Sequence, residues 1–216
     1  EIYLFPYTTL SDLLSWRLVD SESVIVGSWT RWAHQVGVDP DAVLATIHGR
    51  RSQDSVAEFI EPSRRAEALA LIDSIEIEDA AVVRPIPGAG GLVDPIPEDR
   101  WAVFTSGSRA LARARLTAAG LPIPRVLITG QDVVRGKPDP LGYLAAAKAL
   151  GVEPRSCVVL EDSLPGIRAA RAAGVRAVLG VGTLDVGDER PRVTVPDLRC
   201  VRWRPAGLEV LHPALG

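Results

Sequence analysis

Between residues 100 and 182 the chain repeats one pattern: a short, continuously apolar run, then a segment of helical spacing. The runs are RWAVFTSG (100–107), RVLIT (125–129), SCVVLED (156–162) and VRAVLGVG (175–182). Between them lie SRALARARLTAAG (108–120), DPLGYLAAAKALG (139–151) and PGIRAARAAG (165–174). Strands that are apolar throughout, rather than alternating, are buried on both faces, and the intervening helices supply the cover. The predicted fold class is therefore α/β, a doubly wound parallel sheet. Ligands of such sheets sit outside the carboxyl ends of the strands. Those ends are Thr105-Ser106-Gly107, Thr129-Gly130 and Glu161-Asp162.

Residues 22–84 read differently. SVIVGSWTRWAHQVG, DAVLATIHG and SRRAEALALIDSIEIEDAA have helical periodicity and no convincing strand. Their position after the first candidate strand predicts a helical cap inserted into the core. The core would then be 1–21 with 85–216, and the cap 22–84. PGAGG (87–91) follows Pro-rich sequence rather than a strand, so it reads as the turn back into the core, not as a dinucleotide loop.

Composition limits the function classes. With 47% apolar and 24% charged residues over 216 positions, the chain reads as globular. A net charge of −3 gives no field that would draw it to nucleic acid or an acidic membrane. No apolar run reaches the length of a membrane span, and EIYLFPYTTL has no basic leader. Cys157 and Cys200 lie in apolar segments without partner spacing, as buried thiols of a cytoplasmic protein do. His34, His48 and His212 have no metal-ligand spacing, and no serine-nucleophile elbow is present.

Three motifs carry chemistry. In GKPDP (136–140), Lys137 is a compact cation in a stiff turn, suited to a phosphoryl oxygen and a nearby carboxylate. A solvated turn lysine is the plainer alternative, and it loses ground because Lys137 is one of only two lysines among 24 basic residues. In VVLEDSLPGIRAA (158–170), Glu161 and Asp162 end a buried strand, where a divalent cation would offset carboxylate desolvation. Helix capping by Asp162 or Ser163 is the plainer alternative and is compatible with it. In VFTSGS (103–108), hydroxyls and backbone N–H groups lead into a helix, a site suited to an anion. HGRRSQD (48–54) in the cap adds Arg50 and Arg51, either reaching an anionic substrate or forming a solvated turn.

Taken together, the strand-end Thr, GKPDP, and LED followed by S-x-x-G-I-x-A resemble the haloacid dehalogenase (HAD) superfamily. The similarity runs from about Leu18 to Gly182 and is greatest to its small-capped sugar-phosphate and glycerol-phosphate phosphatases. The resemblance implies a Rossmann-like core and Mg²⁺-dependent hydrolysis of a small phosphorylated metabolite through an aspartyl-phosphate. By position it implies that Thr105 binds the phosphoryl group, with Ser106 and Gly107 beside it. Lys137 would neutralise charge, Glu161 and Asp162 would hold the metal, and Arg50 and Arg51 would contact substrate.

The first motif departs from the family. Leu18-Val19-Asp20-Ser21 matches the end of D-x-D-G-T-L-x-D-S, but that anchor puts Leu13 and Ser15 at the two Asp positions. Trp16 and Arg17 then replace Gly and Thr. A shift by one residue makes Asp12 the nucleophile but leaves Leu14 as acid/base. Three outcomes stay open: a start of the chain that does not represent the natural one, a phosphate-ester-binding protein without turnover, or Asp12 serving as the catalytic carboxylate. A phosphomutase of the same fold would need the missing pair as well.

Overall fold

The structure is a computed structural model that describes the backbone of residues 12–15 and, in full, residues 18–183 and 186–211. His212 falls outside them. Strand β1 (Asp12–Ser15) is followed by the two-residue β2 (Val19–Asp20), helices α1 (Glu22–Val36), α2 (Pro40–Leu44), α3 (Ser52–Phe59) and α4 (Arg65–Asp79), and β3 (Arg84–Pro85). Then come α5 (Ala89–Val93), β4 (Trp101–Phe104), α6 (Arg109–Ala118), β5 (Val126–Ile128), α7 (Leu141–Leu150), β6 (Cys157–Glu161), α8 (Leu164–Ala172) and β7 (Ala177–Val181). Last are β8 (Val193–Val195) and the hairpin β9 (Val201–Arg204) and β10 (Gly207–Val210).

Six strands among the described residues form one parallel sheet in the order β5-β4-β1-β6-β7-β8. β1 lies between β4 and β6, so the chain winds outward from it in both directions, as the alternation of apolar runs and helices predicts. All residues of β4 and β6 are buried. Trp101, Val103, Val158 and Leu160 join the apolar cluster on one face, with Ala112 and Leu116 of α6. Ala102, Phe104, Cys157 and Val159 join the other, with Tyr143, Ala146 and Ala170 of α7 and α8. The period-2 alternation of side chains sorts them this way.

Helices α1 to α4 pack on a cluster of their own, built from Trp29, Trp32, Val43, Val56, Ile72 and Ile75. The Trp32 indole N–H donates to the Ala68 carbonyl at 2.8 Å, fixing α1 against α4. The miniature antiparallel pair β2–β3 joins this helical layer to the sheet layer. PGAGG is a turn only at its start: Gly88 has φ 90° and α5 follows at once. A Cβ at Gly88 would lie 2.3 Å from the Arg199 nitrogen, so the backbone of the β8–β9 connection passes where a side chain would stand. Sequence reading did not anticipate β8 or the β9–β10 hairpin. No helix of the described residues is long and apolar enough to cross a membrane.

The contact of α7 with β4 is close enough to test. A Cβ at Gly142 would fall 2.1 Å from Cζ of Phe104, whose ring stacks edge-on against Tyr143 at 5.1 Å. Both rings are buried and neither has room to retreat. Gly142→Ala is expected to cost about 2 kcal/mol or more by overpacking; urea denaturation measures it, and an unchanged midpoint would contradict the packing.

Candidate active site

A cavity of about 630 Å³ lies between the carboxyl edge of the sheet and the helical layer of α1 to α4. From the sheet side it is lined by Ser106, Gly107, Leu111, Arg115, Lys137 and Asp162, and by the start of α8. From the helical layer it is lined by Trp29, His48, Gly49, Arg50, Ser52 and Glu76 among others. Two helices begin here. Ser108 caps α6, its hydroxyl accepting from Leu111 N at 3.3 Å, and Ser163 caps α8, accepting from Gly166 N at 3.2 Å. Their N-termini aim positive partial charge at the strand ends, which favours an anion.

Lys137 sits at this edge as the partner of Glu161, and both side chains are almost wholly buried. Oε1 of Glu161 accepts from the Lys137 ammonium and from the Tyr143 hydroxyl at 2.6 Å. Oε2 accepts from Asp162 N at 3.0 Å, from Ser163 N at 3.1 Å and from the Ser163 hydroxyl at 3.0 Å. Burial alone would raise the Glu161 pKa. The Lys137 charge and the donated hydrogen bonds outweigh it and hold the carboxyl below its usual value. Tyr143 is pushed the other way by burial and the adjacent carboxylate, so its phenol stays protonated and donates. The Lys137 ammonium also lies 5.2 Å and 5.6 Å from the ring centroids of Phe104 and Tyr143.

This geometry corrects the expected role of Glu161. Five donors occupy its two oxygens, which exhausts a carboxylate's acceptor directions. It is the counter-ion and anchor of Lys137 rather than a metal ligand. Asp162 keeps its place on the cavity wall and is the acid that the described sheet-side residues contribute there. Thr105 is fully buried one layer behind the wall, its hydroxyl oxygen accepting from Gly107 N at 2.9 Å. The wall itself is Ser106 and Gly107.

The two adjacent arginines separate. Arg50 lines the cavity while paired with Glu58 at 2.6 Å. Arg51 does not line it and is not a substrate contact. Its guanidinium forks onto Asp54 through two 2.7 Å bonds and donates to the Val133 carbonyl at 2.8 Å. Its stem packs over Gly136, where a Cβ would come within 2.7 Å. Arg51 therefore ties the helical layer to the turn that carries Lys137. The Ser106 hydroxyl makes a second tie, donating to the Gly49 carbonyl at 2.9 Å.

Asp12 is the clearest correction. It pairs in register with Cys157, while Ser15 pairs with Leu160. Glu161 lies four residues beyond Cys157, so Asp12 is about 13 Å short of the cavity edge. Leu13, opposite Val158, is also too deep. Only Trp16 and Arg17 separate the end of β1 from Leu18, and neither is an acid.

A further ion pair escaped sequence reading. Glu76 of α4 and Arg115 of α6 meet at 2.9 Å, both side chains buried and both on the cavity wall. Burial raises the Glu76 pKa and lowers that of Arg115, each opposed by the partner's charge. Within RALARAR, Arg115 looks like any solvated helix arginine, and EIED gives Glu76 no distinction.

The model for haloacid dehalogenase-like hydrolases matches residues 18–174, well over half of the chain. The chain belongs to this family. It is 36% identical over 190 residues to hexitol phosphatase A of Escherichia coli, covering 86% of each chain. It is 34% identical over 200 residues to validoxylamine A 7'-phosphate phosphatase of Streptomyces hygroscopicus, covering 88% of this chain and 93% of that one. A hydrolase from Pseudomonas syringae shares the fold with a TM-score of 0.76 at 22% identity, over 88% of this chain and 94% of that one. By family the chain is a hydrolase, and these relatives are phosphatases.

Removal of the Glu161 charge tests the anchor. Glu161→Gln takes away the carboxylate beside the buried Lys137 ammonium and should destabilise the protein by about 3 kcal/mol at neutral pH. A carboxyl whose folded pKa is depressed stabilises fully above its ordinary value of 4.5, and that contribution is lost as pH falls through the folded pKa. The wild type should therefore lose stability in that acidic window, and the Glu161→Gln variant should lose less of it. Denaturation midpoints between pH 7 and pH 3 read both; parallel curves would remove Glu161 as the titrating group.

Proposed function

We propose that this chain carries the site of a Mg²⁺-dependent, cytoplasmic phosphatase for small sugar or polyol phosphates, with helices α1 to α4 as its cap. In this reading turnover is held low because no carboxylate stands at the end of β1. The observation that carries the proposal is the cavity edge, where two helix N-termini, the Glu161-anchored Lys137 and Asp162 face one space.

The residues have separable tasks. The starts of α6 and α8 aim positive partial charge at the phosphate, while the Gly107 N–H and the Ser106 hydroxyl, already donated to Thr105 Oγ1 and the Gly49 carbonyl, shape the wall beside it. Lys137 is fixed in place by its ion pair with Glu161, which orients the ammonium toward the phosphate. Asp162 and a phosphate oxygen would hold Mg²⁺, a donor set suited to an ion that takes one or two carboxylates and keeps its waters. The ion would supply charge neutralisation at the phosphoryl group. The cap, tied down by Arg51 and Ser106, closes the site over the ester and excludes bulk water. Among the described residues β1 brings no carboxylate to the wall: Asp12 lies at the far end of its strand. A loss of that kind costs several orders of magnitude in rate.

Calorimetry with hexitol, hexose and glycerol phosphates, with and without Mg²⁺, tests the reading. Binding is expected to strengthen with Mg²⁺, and Asp162→Asn should remove most of that gain, about tenfold in affinity. Residual hydrolysis should be slow and unaffected by Asp12→Asn. Fast hydrolysis abolished by that substitution would overturn the strand register. Binding indifferent to Mg²⁺ would overturn the assignment of Asp162.

A further inference from the structure

We propose that the Glu76–Arg115 pair is the recognition site for the distal hydroxyl groups of the substrate, selecting esters of long polyol chains over short ones. This rests on the reading that places the phosphate at the strand ends.

The pair spans the seam between the helical layer and the sheet layer and is part of the cavity wall. Its hydrogen-bonding capacity is only partly used. Nη2 of Arg115 donates to Oε1 of Glu76, but the buried Arg115 Nε has no partner among the described residues. The second carboxylate oxygen of Glu76 accepts no hydrogen bond from the described residues. Unsatisfied polar atoms inside a low-dielectric wall are costly, and they mark a place where a ligand group can complete the set. A hydroxyl group fits that place, because it donates to a carboxylate and accepts from a guanidinium N–H. A second phosphate or a carboxylate fits it less well, since Glu76 would repel it.

Position sets the length of the ligand. Ser108, Leu111 and Arg115 follow one face of α6 away from the phosphate end. Leu111 is about 5 Å along the axis from Ser108 and Arg115 about 10 Å, by the helix rise. The arginine side chain leans back toward the helix N-terminus, which shortens the gap. A three-carbon ester ends beside Leu111, among the apolar residues Ile25 and Trp29. A five- or six-carbon polyol extends to the ion pair. The apolar stretch between the two polar ends suits the C–H faces of such a chain.

The experiment compares Kd values in Mg²⁺ for inorganic phosphate, glycerol 1-phosphate and hexitol 6-phosphate. The wild type is expected to bind the hexitol ester about tenfold or more tightly than the glycerol ester. Glu76→Gln should erase most of that preference and leave inorganic phosphate and the glycerol ester unchanged. Should the Glu76→Gln variant fold poorly, the double variant Glu76→Met with Arg115→Leu replaces the pair by apolar groups, a change that buried ion pairs often tolerate. Loss of hexitol preference in that variant supports the proposal equally. Equal weakening of all three ligands would show a purely structural clamp and overturn it, as would a wild type that binds both esters alike. A wild type that binds none of the three would overturn this proposal together with the phosphate-site reading beneath it.

Discussion

The site depends on the buried pairing of Lys137 with Glu161. A buried ammonium without a counter-ion would be costly to desolvate. Glu161 supplies the counter-charge, and it is itself held by Tyr143, the Ser163 hydroxyl and two backbone N–H groups. The pair thus ties β6 to the GKPDP turn and to the starts of α7 and α8 in one contact. Gly166 shows how tightly the arrangement is drawn: a Cβ there would overlap the Glu161 carboxyl at 2.1 Å. The first turn of α8 can approach the carboxylate only because that residue has no side chain.

Around this anchor the helical layer is fixed by contacts of different character. Arg51 and the Ser106–Gly49 bond join its loop to the strand-end loops that frame the cavity edge. Glu76–Arg115 joins α4 to α6 deeper in the cavity. The first pair of contacts is fully satisfied and positions the loops. The last, between two residues of the cavity wall, retains unused hydrogen-bonding capacity. A fully satisfied contact holds its loop whether or not a ligand is present; a partly satisfied one gains from occupancy.

Much of this was legible in the sequence because the signals are local. Apolar runs of four or five residues followed by helical spacing define β4 to β7 and α6 to α8 to within two or three residues. The strand-end hydroxyls, Lys137 and the acidic dipeptide follow from where those runs stop. What escaped depends on contacts between distant segments. Glu161 and Asp162 are adjacent carboxylates at one strand end, but strand alternation turns the first inward to Tyr143 and leaves the second on the wall. Arg50 and Arg51 are likewise adjacent, and only the position of the Val133 carbonyl decides which is a tether. The small strands β8 to β10 carry short, mixed runs whose burial comes from α5 and the sheet edge rather than from any periodicity of their own.

The first strand shows why a motif and a fold can part company. β1 is a central strand: Leu13 and Leu14 pair with Trp101 and Ala102 on one side and with Val158 and Val159 on the other. The middle of a parallel sheet calls for apolar residues on both faces, and the sequence meets that demand with two leucines. A one-residue slip would exchange the two faces of the strand, so the register answers to the sheet rather than to a catalytic motif. That register leaves Asp12 opposite Cys157 at the far end. A carboxylate moved to the cavity edge would have to follow Ser15, where the sequence supplies Trp16 and Arg17. The helix starts and buried ion pair at that edge are built from β4, β6 and the loops after them, and they do not require a nucleophile for their assembly. In the proposed reading, binding and turnover are therefore carried by different strands, and only turnover is deprived of its residue.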